Sequence, residues 1–232
     1  PPGGPSPAPP PAAADPPFPF SKKVKIVGIV DLQTGEVIVM DCRPMAVDVP
    51  DTAHYPGSIL KLAFSTAGGQ QLCEEGFSFN LTGPPEGYNG PLPFKHAYFR
   101  ALLPVPDGAE LAEIRFAGTT AWLRTITANP PSVEIYSPGE GTYIAPNEEI
   151  DISWSATDPD GDPLTYSVYF SRDDGATYVP LEVGTAESSL HWVTALVAGT
   201  SQGRIKVVAS DGFNSGEAVS GSFEVSHKPP IV

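Results

Sequence analysis

The chain has 232 residues, enough for one large domain or two ordinary domains that each bury a core. With 28 prolines, 23 glycines and only 17% charged residues, its composition favours short strands joined by turns over long helices. The 27 acidic and 13 basic residues give a net charge of -14, which disfavours nucleic acids and anionic membranes as partners. Cations, glycans and other proteins remain open as partners.

The first 20 residues contain ten prolines, and most of the others are Gly, Ala or Ser until Phe18 and Phe20. Such a segment cannot build a core, and its composition predicts an extended polyproline II conformation. We therefore assign residues 1–21 to a proline-rich arm or linker. We expect a neighbouring subunit to hold this arm, with Phe18 and Phe20 packing into a groove of that neighbour.

Residues 22–128 show the period-two alternation of strands and predict a first β-sandwich. Val24, Ile26 and Val30 alternate with other residues, and Thr34-Gly35 predicts a hairpin turn into a second strand at 36–40. Turns rich in Gly, Pro and Asp separate the further predicted strands, which are 58–65, 76–81, 96–103, 111–116 and 121–127. The two cysteines, Cys42 and Cys73, lie at the ends of predicted strands in this half. They predict one intradomain disulfide in an oxidising compartment, with two buried thiols as the alternative.

Asn129-Pro130-Pro131 stiffens the connection between the two halves, and a second sandwich is predicted over 129–228. Its strands are placed by alternating faces, such as Ile150, Ile152 and Trp154. Seven strands are predicted in this half. The fold class is therefore all-β, with two tandem sandwiches of the Ig-like or fibronectin III-like kind after an extended arm.

Four motifs of the second half resemble bacterial and archaeal fibronectin III/Ig-like surface modules over about residues 131–228. They are Ser153-Trp154-Ser155-Ala156, Asp158 to Tyr166, Ser171-Arg172-Asp173-Asp174-Gly175 and Val208-Ala209-Ser210-Asp211-Gly212. The resemblance implies that Trp154 is a core aromatic of the second strand. It also implies tandem modules in a secreted protein, after a catalytic domain or along a stalk, and it does not imply catalysis.

Asp158, Asp160 and Asp162 alternate around Gly161, a spacing that can gather oxygen ligands around calcium. Asp211 joins them if its loop lies at the same pole of the sandwich. The alternative is that these aspartates cap turns by accepting backbone N–H bonds. No other cofactor is indicated.

Motifs for catalysis are weak or missing. The four histidines have no second histidine at metal-ligand spacing, and the chain has no Gly-x-Ser-x-Gly elbow. We therefore expect no enzymatic activity. No apolar run is long enough to span a bilayer, so we expect no membrane span.

Two features relate to glycans. Asn80-Leu81-Thr82 is a sequon that makes Asn80 a candidate glycosylation site. Aromatic side chains such as Trp122 and Trp192 either fill the cores or form a flat platform that stacks on sugar rings.

The last five residues, Lys228-Pro229-Pro230-Ile231-Val232, repeat the pattern of Asn129 to Val133 at an offset of 99 residues. Residues 229–232 therefore predict the start of a further strand or linker, with Ile231 and Val232 available for strand addition to a neighbour. The leading hypothesis is a secreted or cell-surface structural protein that assembles into a filament through its terminal segments. The alternatives are accessory modules of a larger secreted hydrolase and an adhesin or glycan-binding module.

Overall fold

The computed structural model describes residues 20–48, 50–52, 54–80 and 95–226, and strands dominate them. The chain forms two compact units. The first comprises residues 1–40 and 45–125, and the second comprises 41–44 and 126–232. This architecture confirms the all-β fold class. The unit boundary falls at 125/126, three residues before the predicted one, and the short segment 41–44 groups with the second unit.

The first unit contains two four-stranded sheets. One has the order β2-β1-β6-β5 and the other has the order β4-β3-β7-β8. The strands are β1 (Phe20–Asp31), β2 (Val37–Met45), β3 (Leu60–Ser65), β4 (Gln71–Gly76), β5 (Phe79–Asn80), β6 (His96–Pro106), β7 (Leu111–Phe116) and β8 (Thr119–Thr125). The apolar residues that alternate along β1, β3, β6 and β7 form the buried core of this unit.

The predicted hairpin between β1 and β2 is present, and Asp31 closes its turn. The backbone N–H of Gly35 donates to the Asp31 carbonyl at 2.8 Å, while the Asp31 carboxylate accepts the N–H groups of Gln33 and Thr34. Gly35 has a φ of 78°, a conformation that a residue with a Cβ adopts only at a cost. The turn residues and the alternation along the strands therefore both predict this hairpin.

Within the described residues β5 covers Phe79–Asn80, so the strand predicted at 76–81 begins three residues later than expected. Instead, β4 (Gln71–Gly76) was missed by the sequence patterns. This strand lies at a sheet edge, and only Cys73 and Gly76 in it are buried, so its polar residues show no alternation. Edge strands often lack a period-two signal because one side of them is open to solvent.

The second unit has two sheets, built from nine strands. The three-stranded sheet has the order β14-β11-β9, and the other has the order β10-β17-β15-β12-β13 with β16 also paired to β15. The strands are β9 (Ser132–Ser137), β10 (Tyr143–Ile144), β11 (Glu149–Thr157), β12 (Thr165–Ser171), β13 (Val179–Thr185), β14 (Ser189–Val193), β15 (Thr200–Ser210), β16 (Ser215–Val219) and β17 (Phe223–Val225). A 3-10 turn at Thr194–Leu196 follows β14.

Aromatic residues from both sheets meet in the core of the second unit. Trp192 of β14 lies 4.8 Å from Phe170 of β12, measured between ring centroids, and Phe223 packs against both. Trp154 of β11 is buried, as the family resemblance implied. A side chain at Gly216 would overlap the Pro131 carbonyl, so glycine allows β16 to lie close to the residue that precedes β9.

Candidate functional site

The edge strands carry most of the exposed large apolar side chains. Eight of the twelve such residues in the described ranges lie on strands at a sheet edge. They are Ile38 and Met40 on β2, Leu123 on β8, Tyr136 on β9, Tyr143 on β10, Val179 and Val183 on β13, and Val219 on β16. Exposed apolar groups beside unpaired backbone N–H and C=O groups favour association with another strand.

The predicted assembly residues are placed only in part. Phe18, Ile231 and Val232 lie outside the described residues. Phe20 is the first residue of β1, is half-buried, and lies opposite Pro106 of β6. The Lys23 Nζ atom lies 5.7 Å from the centroid of the Phe20 ring. Phe20 is therefore part of the first sandwich rather than of a separate arm.

The acidic turn at Asp158 is closed by its own carboxylate. Asp158 Oδ1 accepts the backbone N–H groups of Asp160 at 2.8 Å and Asp162 at 3.2 Å, and Gly161 takes a φ of 79°. The other carboxylate oxygen, Asp158 Oδ2, is buried and makes no hydrogen bond. Asp158 thus performs the turn-capping role that was the alternative to calcium binding.

Asp160 and Asp162 instead hold the segment that enters the second unit. Asp160 accepts two bonds from Asn129, one from its backbone N–H at 3.0 Å and one from its side-chain amide at 2.9 Å. These bonds, first that from the side chain, lower the pKa of the Asp160 carboxyl. The Thr127 hydroxyl donates to Asp162 Oδ2 at 2.7 Å. We call residues 127–129 the entry segment.

Asp211 organises a second loop at the same segment. Its Oδ1 accepts the N–H groups of Phe213 at 2.7 Å and Asn214 at 2.6 Å, and its Oδ2 accepts the Asn214 amide at 2.8 Å. The Asn214 amide also donates to the Thr127 carbonyl at 3.0 Å. Among the described residues, no group of three or more His, Cys, Asp or Glu side chains can hold a metal ion. The calcium site stays a prediction that these contacts do not support.

Calcium removal is expected to leave the thermal midpoint of the second unit unchanged, because its carboxylates already accept protein N–H and O–H groups. The measurement is differential scanning calorimetry in 1 mM calcium chloride and in excess chelator. A ligand that bound only the folded state would raise the midpoint in proportion to RT ln(1 + [L]/Kd). A rise of several degrees in calcium would therefore contradict the turn-capping role.

Cys42 and Cys73 form no disulfide with one another in the structure, and the predicted disulfide stays a prediction. Cys42 belongs to the segment 41–44 that groups with the second unit, and its Sγ donates to the Gly212 carbonyl at 3.4 Å. Cys73 lies in β4 of the first unit and is buried. Burial, with the nearby Glu75 carboxylate, raises the pKa of the Cys73 thiol to about 12. Because the thiolate is the reactive form, Cys73 is chemically inert at neutral pH.

The aromatic platform cannot include Trp192, which is buried among the core residues of the second unit. Trp122 on β8 is half-buried. The backbone of Asn80 pairs with Tyr98 at the end of β5, so the candidate glycosylation site lies at a strand end. The core, rather than a sugar-binding face, explains the largest aromatic side chains of the second unit.

One polar cluster was not found from the sequence. On the outer face of the three-stranded sheet, His191 Nδ1 lies 2.9 Å from Asp151 Oδ1 and His191 Nε2 lies 3.1 Å from Glu149 Oε2. The register pairs Asp151 with His191 directly across β11 and β14. Hydrogen bonds to Asp151 first and Glu149 second raise the pKa of the His191 imidazole. Only the strand register reveals this cluster, because the residues are 40 positions apart.

The His191 imidazole is expected to titrate above its ordinary pKa of about 6.5. Its protonated form stabilises the folded state, so this contribution is complete below about pH 6.5 and is lost as the pH rises through the raised pKa. Proton NMR of the imidazole ring measures the value directly. Asp151→Asn should lower the pKa of His191, and Tyr143→Ala should not change it. Titration of wild-type His191 at or below pH 6.5 would contradict the cluster.

Comparisons with known proteins find one family match and several solved structures. Residues 131–211 match the family described as a bacterial Ig domain. The fibronectin(III)-like modules of Clostridium thermocellum CbhA share 16% identity over 76% of this chain and 82% of theirs, with a TM-score of 0.33. Dpr2 Ig1-Ig2, solved in complex with DIP-Theta Ig1-Ig3, shares 13% identity over 72% of this chain and 56% of that chain, with a TM-score of 0.28. No curated protein matches the sequence.

The TM-scores lie below 0.5, so the fold assignment stands on the strand pairing and on the family match. The chain is built of β-sandwiches, and residues 131–211 of the second unit are similar to the bacterial Ig domain family. Domains of this kind are structural or surface modules and are generally not catalytic. Within the described residues, no helix is long and apolar enough to cross a membrane.

Proposed function

We propose that this chain is a non-enzymatic structural protein of the cell exterior that assembles with copies of itself through its terminal segments. The observation that carries the proposal is the concentration of exposed apolar side chains on edge strands, above all Ile38 and Met40 on β2. A terminal strand added to such an edge pairs the open backbone groups and covers the apolar side chains. The bacterial Ig match over 131–211 supports an extracellular location.

Charge also shapes this assembly. Two copies that each carry a net charge of -14 repel one another at low ionic strength. The terminal segments are nearly free of charge, with Asp15 the single charged side chain in residues 1–19 and Lys228 the single one in 228–232. The terminal segments can therefore contact a neighbour with little added electrostatic repulsion. Added salt should strengthen assembly by screening the remainder.

Sedimentation velocity over a range of concentrations tests the proposal. The full chain should form species larger than a monomer, whereas chains lacking residues 1–19 or 228–232 should lose this association. Each deleted chain should keep the thermal transitions of both sandwiches. Association that persists after both deletions would exclude the terminal segments. A control is Val47→Lys, which should leave association unchanged because Val47 is exposed but lies in a turn after β2, outside the edge strands.

A further inference from the structure

An open groove of about 400 Å³ lies on the first unit, at the loop between β2 and β3. It is lined by residues 54–58 of that loop and by Ser78 and Phe79 at the start of β5. Tyr55, Pro56 and Phe79 give the lining its apolar surface, and His54, Ser58 and Ser78 add polar groups. None of the catalytic, metal or disulfide predictions involves these residues.

Backbone contacts fix the shape of the groove. The Tyr55 N–H donates to the Gly76 carbonyl at 2.9 Å, and the Ser58 hydroxyl donates to the Phe77 carbonyl at 2.8 Å. A Cβ at Gly76 would overlap the Tyr55 carbonyl oxygen, so glycine is required for the loop to lie against β4. The His54 Nδ1 atom forms an ion pair with Glu75. The groove is therefore already formed in the folded chain.

The chemistry of the lining fits a proline-rich strand. Tyr55 is 47% exposed and provides, with Phe79 and Pro56, flat apolar surfaces on which prolyl rings can pack. Nothing lies within 4 Å of the position that a Cβ at Gly57 would occupy, which leaves space for a ligand. A polyproline II helix has no internal hydrogen bonds, so its carbonyls are free to accept from the Tyr55 and Ser78 hydroxyls. Aromatic-lined grooves recognise proline-rich segments in this way.

This chain itself contains such a ligand. Residues 1–19 include ten prolines, among them Pro9-Pro10-Pro11 and Pro16-Pro17. We propose that the groove at residues 54–58 and 78–79 binds the proline-rich segment of a second copy of this chain. This inference rests on the proposed self-assembly, and it identifies the groove as the site that binds the proline-rich segment.

A second copy is favoured over the same chain for a geometric reason. The proline-rich segment continues into β1 at Phe20, which lies opposite Pro106 of β6. Phe79 of the groove pairs with Phe99 of β6, which is seven residues from Pro106 and about 24 Å from it along the strand. The direction from Phe20 to the groove is the direction in which β1 itself runs. The preceding segment must therefore reverse to reach the groove of its own chain, and polyproline stiffness opposes a reversal. In an extended form, 19 residues span roughly 59 Å, enough to reach a neighbour.

Complementation between two full-length variants tests the proposal. The groove variant is Tyr55→Ala, and the arm variant replaces Pro9, Pro10, Pro11, Pro16 and Pro17 with serine. Each variant alone should associate about tenfold more weakly than the wild type, because one half of the contact is damaged. Mixed together, they should form a one-to-one complex by sedimentation velocity, since one intact groove and one intact arm remain. Val47→Ala, at an exposed residue that lies outside the edge strands and the groove, should behave as the wild type.

A labelled peptide of residues 1–20 tests the groove independently of assembly. It should bind the arm variant, and both Tyr55→Ala and Gly57→Gln introduced into that variant should weaken binding about tenfold; two different substitutions guard against a local folding defect. If neither substitution changes peptide binding, or if the peptide does not bind, the groove is not the binding site of the proline-rich segment. No complex in the mixture would overturn the second copy as the occupant. An oligosaccharide that binds at Tyr55 when the peptide does not would assign the groove to glycans instead.

The two proposals fail in different ways. If the wild type assembles and Tyr55→Ala assembles equally well, the groove does not bind the proline-rich segment, whereas the proposal of assembly through the terminal segments stands. If the wild type stays monomeric at every concentration, the proposed function fails, and the labelled peptide still decides whether the groove binds a proline-rich segment.

Discussion

Replacing Trp192 with alanine is expected to lower the free energy of unfolding of the second unit by about 3–5 kcal/mol. Trp192 is 5% exposed, and its ring contacts both Phe170 and Phe223 in the space between the two sheets. Alanine removes this packing and leaves a cavity that the surrounding strands fill only in part. For a domain of this size, each kcal/mol lowers the melting temperature by roughly 4–8 °C.

Calorimetry measures this effect as a shift of the transition of the second unit while that of the first unit stays in place. Tyr136→Ala is the matched control, because Tyr136 is 57% exposed and its loss should change stability by less than about 0.5 kcal/mol. Equal and small effects of the two substitutions would show that Trp192 does not belong to the core. A sugar platform at Trp192 would then be open again.

Asp211→Ala is expected to cost about 3 kcal/mol, the second largest effect. The Asp211 carboxylate is 3% exposed and accepts bonds from two backbone N–H groups and from the Asn214 amide. Alanine leaves these donors without their acceptor, and each stranded buried donor costs about 1–3 kcal/mol. Because Asn214 also holds the Thr127 carbonyl, the entry segment should loosen as well.

Asp211→Asn separates hydrogen bonding from charge. Asparagine keeps one oxygen that can accept the Phe213 and Asn214 N–H groups, so the loss should be smaller than for alanine. Chemical denaturation gives both free energies, and amide hydrogen exchange reports the loosening at 127–129. A surface control is Glu217→Ala, since its contact with Lys206 is 3.9 Å long and exposed and should contribute about 0–1 kcal/mol. An Asp211→Ala variant as stable as Glu217→Ala would contradict the role of the loop.

The sequence predicted the fold well where apolar residues alternate on strands with one buried face. The strand at 111–116 was placed to the residue, and β11 was placed from Ile150, Ile152 and Trp154. The pattern failed at β4, where an edge position leaves most side chains polar. It also failed for Cys42, because residue spacing does not show that segment 41–44 groups with the second unit.

The candidate sites were predicted less well, because their residues meet only through strand register and loop packing. Asp158, Asp160, Asp162 and Asp211 were identified as important acidic residues, but their partners Thr127 and Asn129 carry no sequence signal for this contact. The groove at Tyr55 was missed entirely. Its loop has no regular pattern, and its shape depends on a glycine 21 residues further along the chain.

The entry segment gives the second unit a distinct response to mechanical load. Tension that reaches this unit from its N-terminal side meets the side-chain bonds at Thr127 and Asn129 before it reaches the ladder between β9 and β11. The side-chain hydrogen bonds of Asp160 and Asp162 would therefore break under load before the hydrogen bonds of the sheet. Protonating Asp160 in acid would weaken its two bonds to Asn129, and the force would then reach the first strand of the unit more directly.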